Sequence, residues 1–157
     1  MRKEKKEKKP SKEQRQFTEG VRKVFDSYLK DYGFEFLSEN VEKFSSRVLY
    51  KKENKFIDIH GSTYPTDYPY HYFVDLGKNF NIEDQLFPEY YISLPRLVEI
   101  TGLKEKHHNY NFPFGEEIED NLLKGKDELD KYAMFYLNEK IDLFEYIIKI
   151  KNKQINN

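Results

Sequence analysis

The chain has no cysteine. That excludes a disulfide framework and thiolate chemistry, and it suits a reducing compartment. No apolar run approaches the ~20 residues that a membrane-spanning helix needs. The first residues are charged and lack the apolar stretch of a secretory signal, so the cytoplasm is the default location. Repeated glycines are missing as well. Gly61-Ser62 and Gly115-Glu116 come nearest to a phosphate loop, but neither has the second glycine or the lysine that cradle phosphates. Nucleotide-driven chemistry therefore has no motif. A Ser-centred nucleophile elbow, an HExxH element and an internal repeat are equally absent from the sequence.

What the chain does have is aromatic mass. Hydrophobic residues are only 38%, yet 13 Phe and 13 Tyr bring the aromatic share to 17%. Large rings bury large areas, so the composition describes a folded protein with an aromatic core. Charged residues, at 35%, cover the outside. A length of 157 residues is that of one domain with one core. The net charge of -1 conceals an asymmetry: residues 1–9 carry +4, which leaves -5 on residues 10–157. A mildly acidic domain is a poor general nucleic-acid binder, because phosphate contacts need clustered Lys and Arg.

Residues 1–11 read as a disordered basic tail closed by Pro10, residues 12–151 as a single domain, and residues 152–157 as a frayed end. Ser11, with Gln14 three residues on, predicts a capping box and a helix to about Tyr32. Phe17, Val21, Val24, Phe25, Tyr28 and Leu29 share its apolar face, and Gly33 ends it. Phe34 and Phe36 alternate with polar residues only briefly. Strands are predicted at 44–50, 56–60 and 72–76, with a polar turn at 52–55 and a possible fourth strand at 90–92. Ser93 and Pro95 open a short helix that Gly102 closes. A loop over 103–115 holds His107 and His108. A short helical turn spans 116–123, Gly125 interrupts it, and a long helix runs from 126 to 150 with Leu129, Tyr132, Tyr136, Leu137, Ile141, Phe144 and Ile148 in its stripe. Helix, strand meander, helices: the class is α+β, an antiparallel sheet of three to four strands with the N-terminal helix and C-terminal helices on one face.

The densest local signal is Tyr64-Pro65-Thr66-Asp67-Tyr68-Pro69-Tyr70-His71-Tyr72-Phe73. Its first part is predicted to be a loop. The plain reading folds Tyr64, Tyr68 and Tyr70 back over a sheet edge; the functional reading makes them, with Asp67, a contact surface. The loop lacks Lys and Arg, which argues against stacking of nucleic-acid bases. A second feature is acidic. Glu116, Glu117, Glu119 and Asp120, then Asp127, Glu128 and Asp130, crowd two expected helix starts. There they complement the helix dipole, or else form a negative patch for a basic partner.

A metal reading rests on His60 and His71. If the strands at 56–60 and 72–76 pair, the two rings are expected opposite each other, with Asp58 and Asp75 on the same face. No ligand-spacing motif supports this. The expectation is that no metal or other cofactor is bound and no catalytic residue is present. His107-His108 is weaker still, because adjacent side chains of an extended chain diverge.

The order of parts carries a resemblance. Lys30-Asp31-Tyr32-Gly33-Phe34 closes the opening helix, and a strand pair leads through Ile57-Asp58-Ile59-His60 to Tyr72-Phe73-Val74-Asp75-Leu76-Gly77. Over residues 15–80 this resembles small bacterial domains of unknown function of the DUF4304 type, some of which look like immunity proteins of toxin systems. The proline-bearing aromatic loop departs from that pattern. The resemblance implies no residue roles. The leading expectation is a non-enzymatic domain that binds a basic protein partner, with an immunity-like inhibitor of a bacterial toxin as its concrete form. The alternative is a small metal-dependent hydrolase using the His/Asp group.

Overall fold

The computed structural model describes residues 9–78, 91–101, 108–138, 142, 145–147 and 149. Most of the basic tail, Tyr90, Gly102, His107, Ile141, Phe144, Ile148 and residues 152–157 lie outside the described residues.

Helix α1 (Lys12–Asp31) comes first, followed by one antiparallel sheet whose strands pair in sequence order: β1 (Glu35–Val41), β2 (Ser45–Lys52), β3 (Lys55–Ser62), β4 (Tyr72–Lys78) and β5 (Tyr91–Ser93). Helices α2 (Leu94–Thr101), α3 (Glu117–Tyr132) and α4 (Met134–Leu137) follow. The architecture is α+β, as the sequence pattern predicts. Among the described residues no helix is long and apolar enough to cross a membrane.

The start of α1 forms as its residues dictate. The Gln14 N–H donates to Ser11 Oγ at 3.2 Å, satisfying one of the helix's free donors. The reciprocal half of the capping box is replaced by contacts to the sheet and to Thr63. The Gln14 side chain is fully buried, donates to Thr63 Oγ1 at 3.0 Å and accepts from Ser46 Oγ at 2.6 Å. The helix start is thereby pinned to the sheet. At the other end Gly33 takes φ +87°, and the Phe34 N–H returns to the Leu29 carbonyl at 3.0 Å.

The sheet has five strands rather than three or four. The extra strand is β1, whose residues are nearly all exposed. It is held by backbone pairing to β2 and by Phe36, whose ring lies under the Arg22 guanidinium at 3.7 Å. An edge strand that buries neither face leaves no alternation in the sequence.

The C-terminal region also differs from expectation. Gly125 does not interrupt the helix; α3 runs straight through it from Glu117 to Tyr132, and the chain breaks at Ala133 instead. Gly125 is a packing residue. A Cβ there would lie 3.0 Å from Tyr72 Oη and 3.5 Å from His108 Nε2. The expected loop before α3 is likewise part of the core: Tyr110 and Phe112 are buried, the Tyr72 N–H donates to the Tyr110 carbonyl and the Phe112 N–H to that of Tyr70.

The core lies on one face of the sheet. Val48, Tyr50, Ile57, Ile59, Tyr72, Val74 and Leu76 alternate inward and meet Phe17, Val21, Phe25 and Leu29 of α1, Leu97 and Val98 of α2, and Leu122 and Leu129 of α3. Each fully buried Ile or Leu contributes about 1.5–3 kcal/mol. Tyr136 of α4 reaches back between strands, its hydroxyl within donating distance of the Phe56 carbonyl at 2.7 Å and of the Gly77 carbonyl.

Candidate functional site

Alternation on β3 and β4 sends every second residue away from that core. Asp58 and His60 are two apart on β3, so they share the outer face. Register then sets Asp75 of β4 directly beside Asp58, Phe73 beside His60, and Arg47 of β2 on the other side of His60. One donor atom from each of Asp58, His60 and Asp75 fits within 4.8 Å of the others. His60 Nε2 lies 2.7 Å from Asp75 Oδ2, and Arg47 Nε forms an ion pair with Asp58 Oδ2 at 3.1 Å. The His60 ring stacks on Phe73 at 5.2 Å. Arg47, His60, Asn40 and Ser62 line a groove beside the cluster.

Both aspartates are buried, at 7% exposure for Asp58 and 6% for Asp75. The Oδ1 atom of each has no hydrogen-bond partner among the described residues. Burial pushes the Asp58 carboxyl up to about 6, against the opposing pull of His60 and Arg47. Burial pulls His60 down, but its hydrogen bond to Asp75 and the charges of Asp58 and Asp75 outweigh it, and the imidazole ends above its ordinary value.

His71 is not part of this group. The pairing Gly61↔Tyr72 is the last of the β3–β4 ladder, so Phe73, not His71, stands opposite His60. His71 is exposed and bridges to Asn111 instead. The expected two-histidine arrangement is thus replaced by one histidine and two aspartates. Arg47 was missed, although the hairpin turn at 52–55 fixes its place opposite His60.

The aromatic segment occupies one end of the sheet. Pro65–Asp67 forms a single 3₁₀ turn, with the Asp67 N–H donating to the Tyr64 carbonyl at 2.8 Å and Ser62 Oγ to Asp67 Oδ2 at 3.3 Å. Its tyrosines divide between the two readings. Tyr72 is fully buried and Tyr70 packs partly on the core. Tyr64 is 42% exposed and Tyr68 77%. Tyr68 stands edge-on to Tyr70 at 5.4 Å, and Tyr64 leans on Phe44 at 5.4 Å.

The acidic start of α3 lies at the same end, because Asn111 and Phe112 pair with His71 and Tyr70 and lead directly into it. Glu116, Glu117, Glu119 and Asp120 are all exposed, with Glu119 also meeting Lys23 at 2.9 Å. Phe114, 45% exposed, stands just before them. The second acidic group is not at a helix start, since α3 is continuous. Asp130 accepts from Tyr28 Oη at 2.8 Å, while Glu128 accepts from the His108 N–H and from Tyr110 Oη. Those two carboxylates hold the helix to its neighbours.

Set beside family models, curated proteins and solved structures, the chain matches none.

Proposed function

We propose that this domain binds a basic protein partner through its aromatic end and works as a binding module, not as an enzyme. The observation that carries this reading is Tyr68, 77% exposed on a short loop that is otherwise anchored at both ends. A ring held out on a braced turn offers contact area with little conformational entropy left to lose. Tyr64 and Phe114 are exposed as well, and Asp67, Glu116, Glu117, Glu119 and Asp120 add exposed negative charge at the same end of the sheet. Apolar centre and charged rim are the anatomy of a protein interface, and the charge favours a basic partner and a fast encounter.

The more specific form is an immunity-like inhibitor, which neutralises a basic toxin by covering it. The resemblance over residues 15–80 favours that form. The test is co-expression of the chain with the products of the flanking genes, followed by co-purification. A partner of basic charge should come down with the native chain. Tyr68→Ala should weaken its binding by about 2 kcal/mol or more, the hot-spot threshold, while leaving the melting temperature unchanged. Reversing Glu116, Glu117, Glu119 and Asp120 to Lys should slow association. Partner binding that ignores both changes would end this reading.

A further inference from the structure

The outer face of the sheet carries a group that the partner-binding reading does not use. We propose that Asp58, His60 and Asp75 form a binding site for a divalent transition-metal cation of the zinc class. Three observations lead there.

The first is placement. Donor atoms bonded to one ion at 2.0–2.2 Å lie about 3–4 Å from one another. The three side chains already offer one atom each within a mutual 4.8 Å. Backbone pairing fixes this spacing, since Asp58 and Asp75 are direct partners across β3 and β4 and His60 is two residues from Asp58. Sites built on strands hold their geometry better than sites on loops.

The second is lack of satisfaction. Asp58 and Asp75 are more than nine-tenths buried, and each keeps an Oδ1 atom without a hydrogen-bond partner among the described residues. Buried carboxylate oxygens are expensive to leave unpaired, and native proteins rarely do so without a reason. Arg47 does not remove the cost: its contact is with Asp58 Oδ2, and both Oδ1 atoms stay without a partner among the described residues. A cation held by the two carboxylates would give this buried negative charge a partner.

The third is donor chemistry. One imidazole with two carboxylates is too nitrogen-bearing for a calcium cage and too hard for copper(I); it suits zinc, with manganese next. The contact of His60 Nε2 with Asp75 Oδ2 at 2.7 Å is a hydrogen bond shorter than the spacing of two ligands on one ion, so the ring moves off this oxygen and Nε2 gives up any proton it carries when the ion enters. The groove lined by Arg47, His60 and Ser62 reaches the cluster at His60. Three protein donors leave at least one position on the ion open.

The test uses the tag-free full chain, stripped with chelator and titrated with Zn²⁺ by calorimetry, with Mn²⁺ and Mg²⁺ in parallel. One equivalent of Zn²⁺ should bind at micromolar concentration or tighter and raise the melting temperature, with Mn²⁺ weaker and Mg²⁺ without effect. Asp75→Asn and His60→Ala should each weaken Zn²⁺ binding by about tenfold or more, whereas His71→Ala should change nothing. X-ray absorption of the zinc-loaded native chain gives an answer even if a variant fails to fold. One imidazole nitrogen with oxygen donors supports the site. No binding to the folded native chain, two imidazoles at the ion, or equal loss with His71→Ala overturns it.

Discussion

Ile57, Ile59, Val74 and Leu76 stand on one face of β3 and β4; Asp58, His60, Phe73 and Asp75 stand on the other. The same backbone ladder holds both sets. On the inner face each side chain is fully buried among apolar neighbours. On the outer face two carboxylates are nearly as buried, but keep oxygens that nothing among the described residues satisfies. The inner face gains free energy from everything it buries. The outer face spends some of that gain to keep charged groups together, and a fold tolerates this where the group has a use.

Four substitutions bear on the contrast. The largest effect belongs to the inner face. Ile59→Ala should lower stability by about 2–5 kcal/mol, the usual result of hollowing a core, as read by urea denaturation. A neutral result would erase the difference between the faces. Gly125→Ala comes next. Alanine is the better helix former by about 1 kcal/mol. The new methyl, however, would meet Tyr72 Oη at 3.0 Å and crowd the inner layer. A net loss of about 1–2 kcal/mol is expected, as for other overpacked sites. A gain would mean that Tyr72 yields freely.

On the outer face the sign should reverse. Asp58 has its pKa pushed up to about 6, so it binds a proton more tightly folded than unfolded. That contribution is fully present below about pH 4 and is lost as the pH rises through about 6. His60, also raised, contributes below its ordinary value and loses that contribution as the pH rises above it. With chelator present, Asp58→Asn should therefore gain on the order of 1 kcal/mol over the native chain at pH 8, after the loss of the Arg47 contact, and nothing at pH 4. Thermal melts at the two pH values decide it. The smallest effect is expected at the aromatic end. Tyr68→Ala should change stability by less than about 0.5 kcal/mol, because so exposed a ring has little burial to lose. A large fall in melting temperature would mean that the ring packs, and would remove the main support for a contact surface there.

Most of the fold can be read in the sequence where burial leaves a period. The face of α1, its Ser11 cap, the stop at Gly33 and the hairpin turn at 52–55 all follow from residue type and spacing. What escapes such reading is set by long-range contact. β1 exposes both faces and leaves no alternation. Gly125 looks like a breaker because nothing nearby in sequence announces Tyr72 and His108 as its neighbours. The site was partly legible for the same reason. Asp58, His60 and Asp75 could be placed on one face from strand alternation. The exclusion of His71 depends on a β3–β4 register that only the assembled sheet fixes, whereas the place of Arg47 follows from the short turn at 52–55. The exposure of Tyr68 against the burial of Tyr72, four residues away, is set by where the turn at Pro65–Asp67 ends.

Tyr136 brings a matter of timing. Its hydroxyl serves the carbonyls of Phe56 and Gly77, two residues paired across β3 and β4. A phenol has one proton and these are two acceptors, so at any instant one carbonyl receives it and the other only faces the oxygen. The tyrosine comes 80 residues after the first carbonyl and 59 after the second. On a ribosome the hairpin of β3 and β4 is therefore made long before its clasp. During that interval the edge of β4 awaits not only β5 but also the ring that closes over its last residues, and a chain ending between residues 113 and 135 should leave the Phe56 and Gly77 end of the ladder more open to hydrogen exchange than the Gly61 and Tyr72 end, which residues 110–112 already cover.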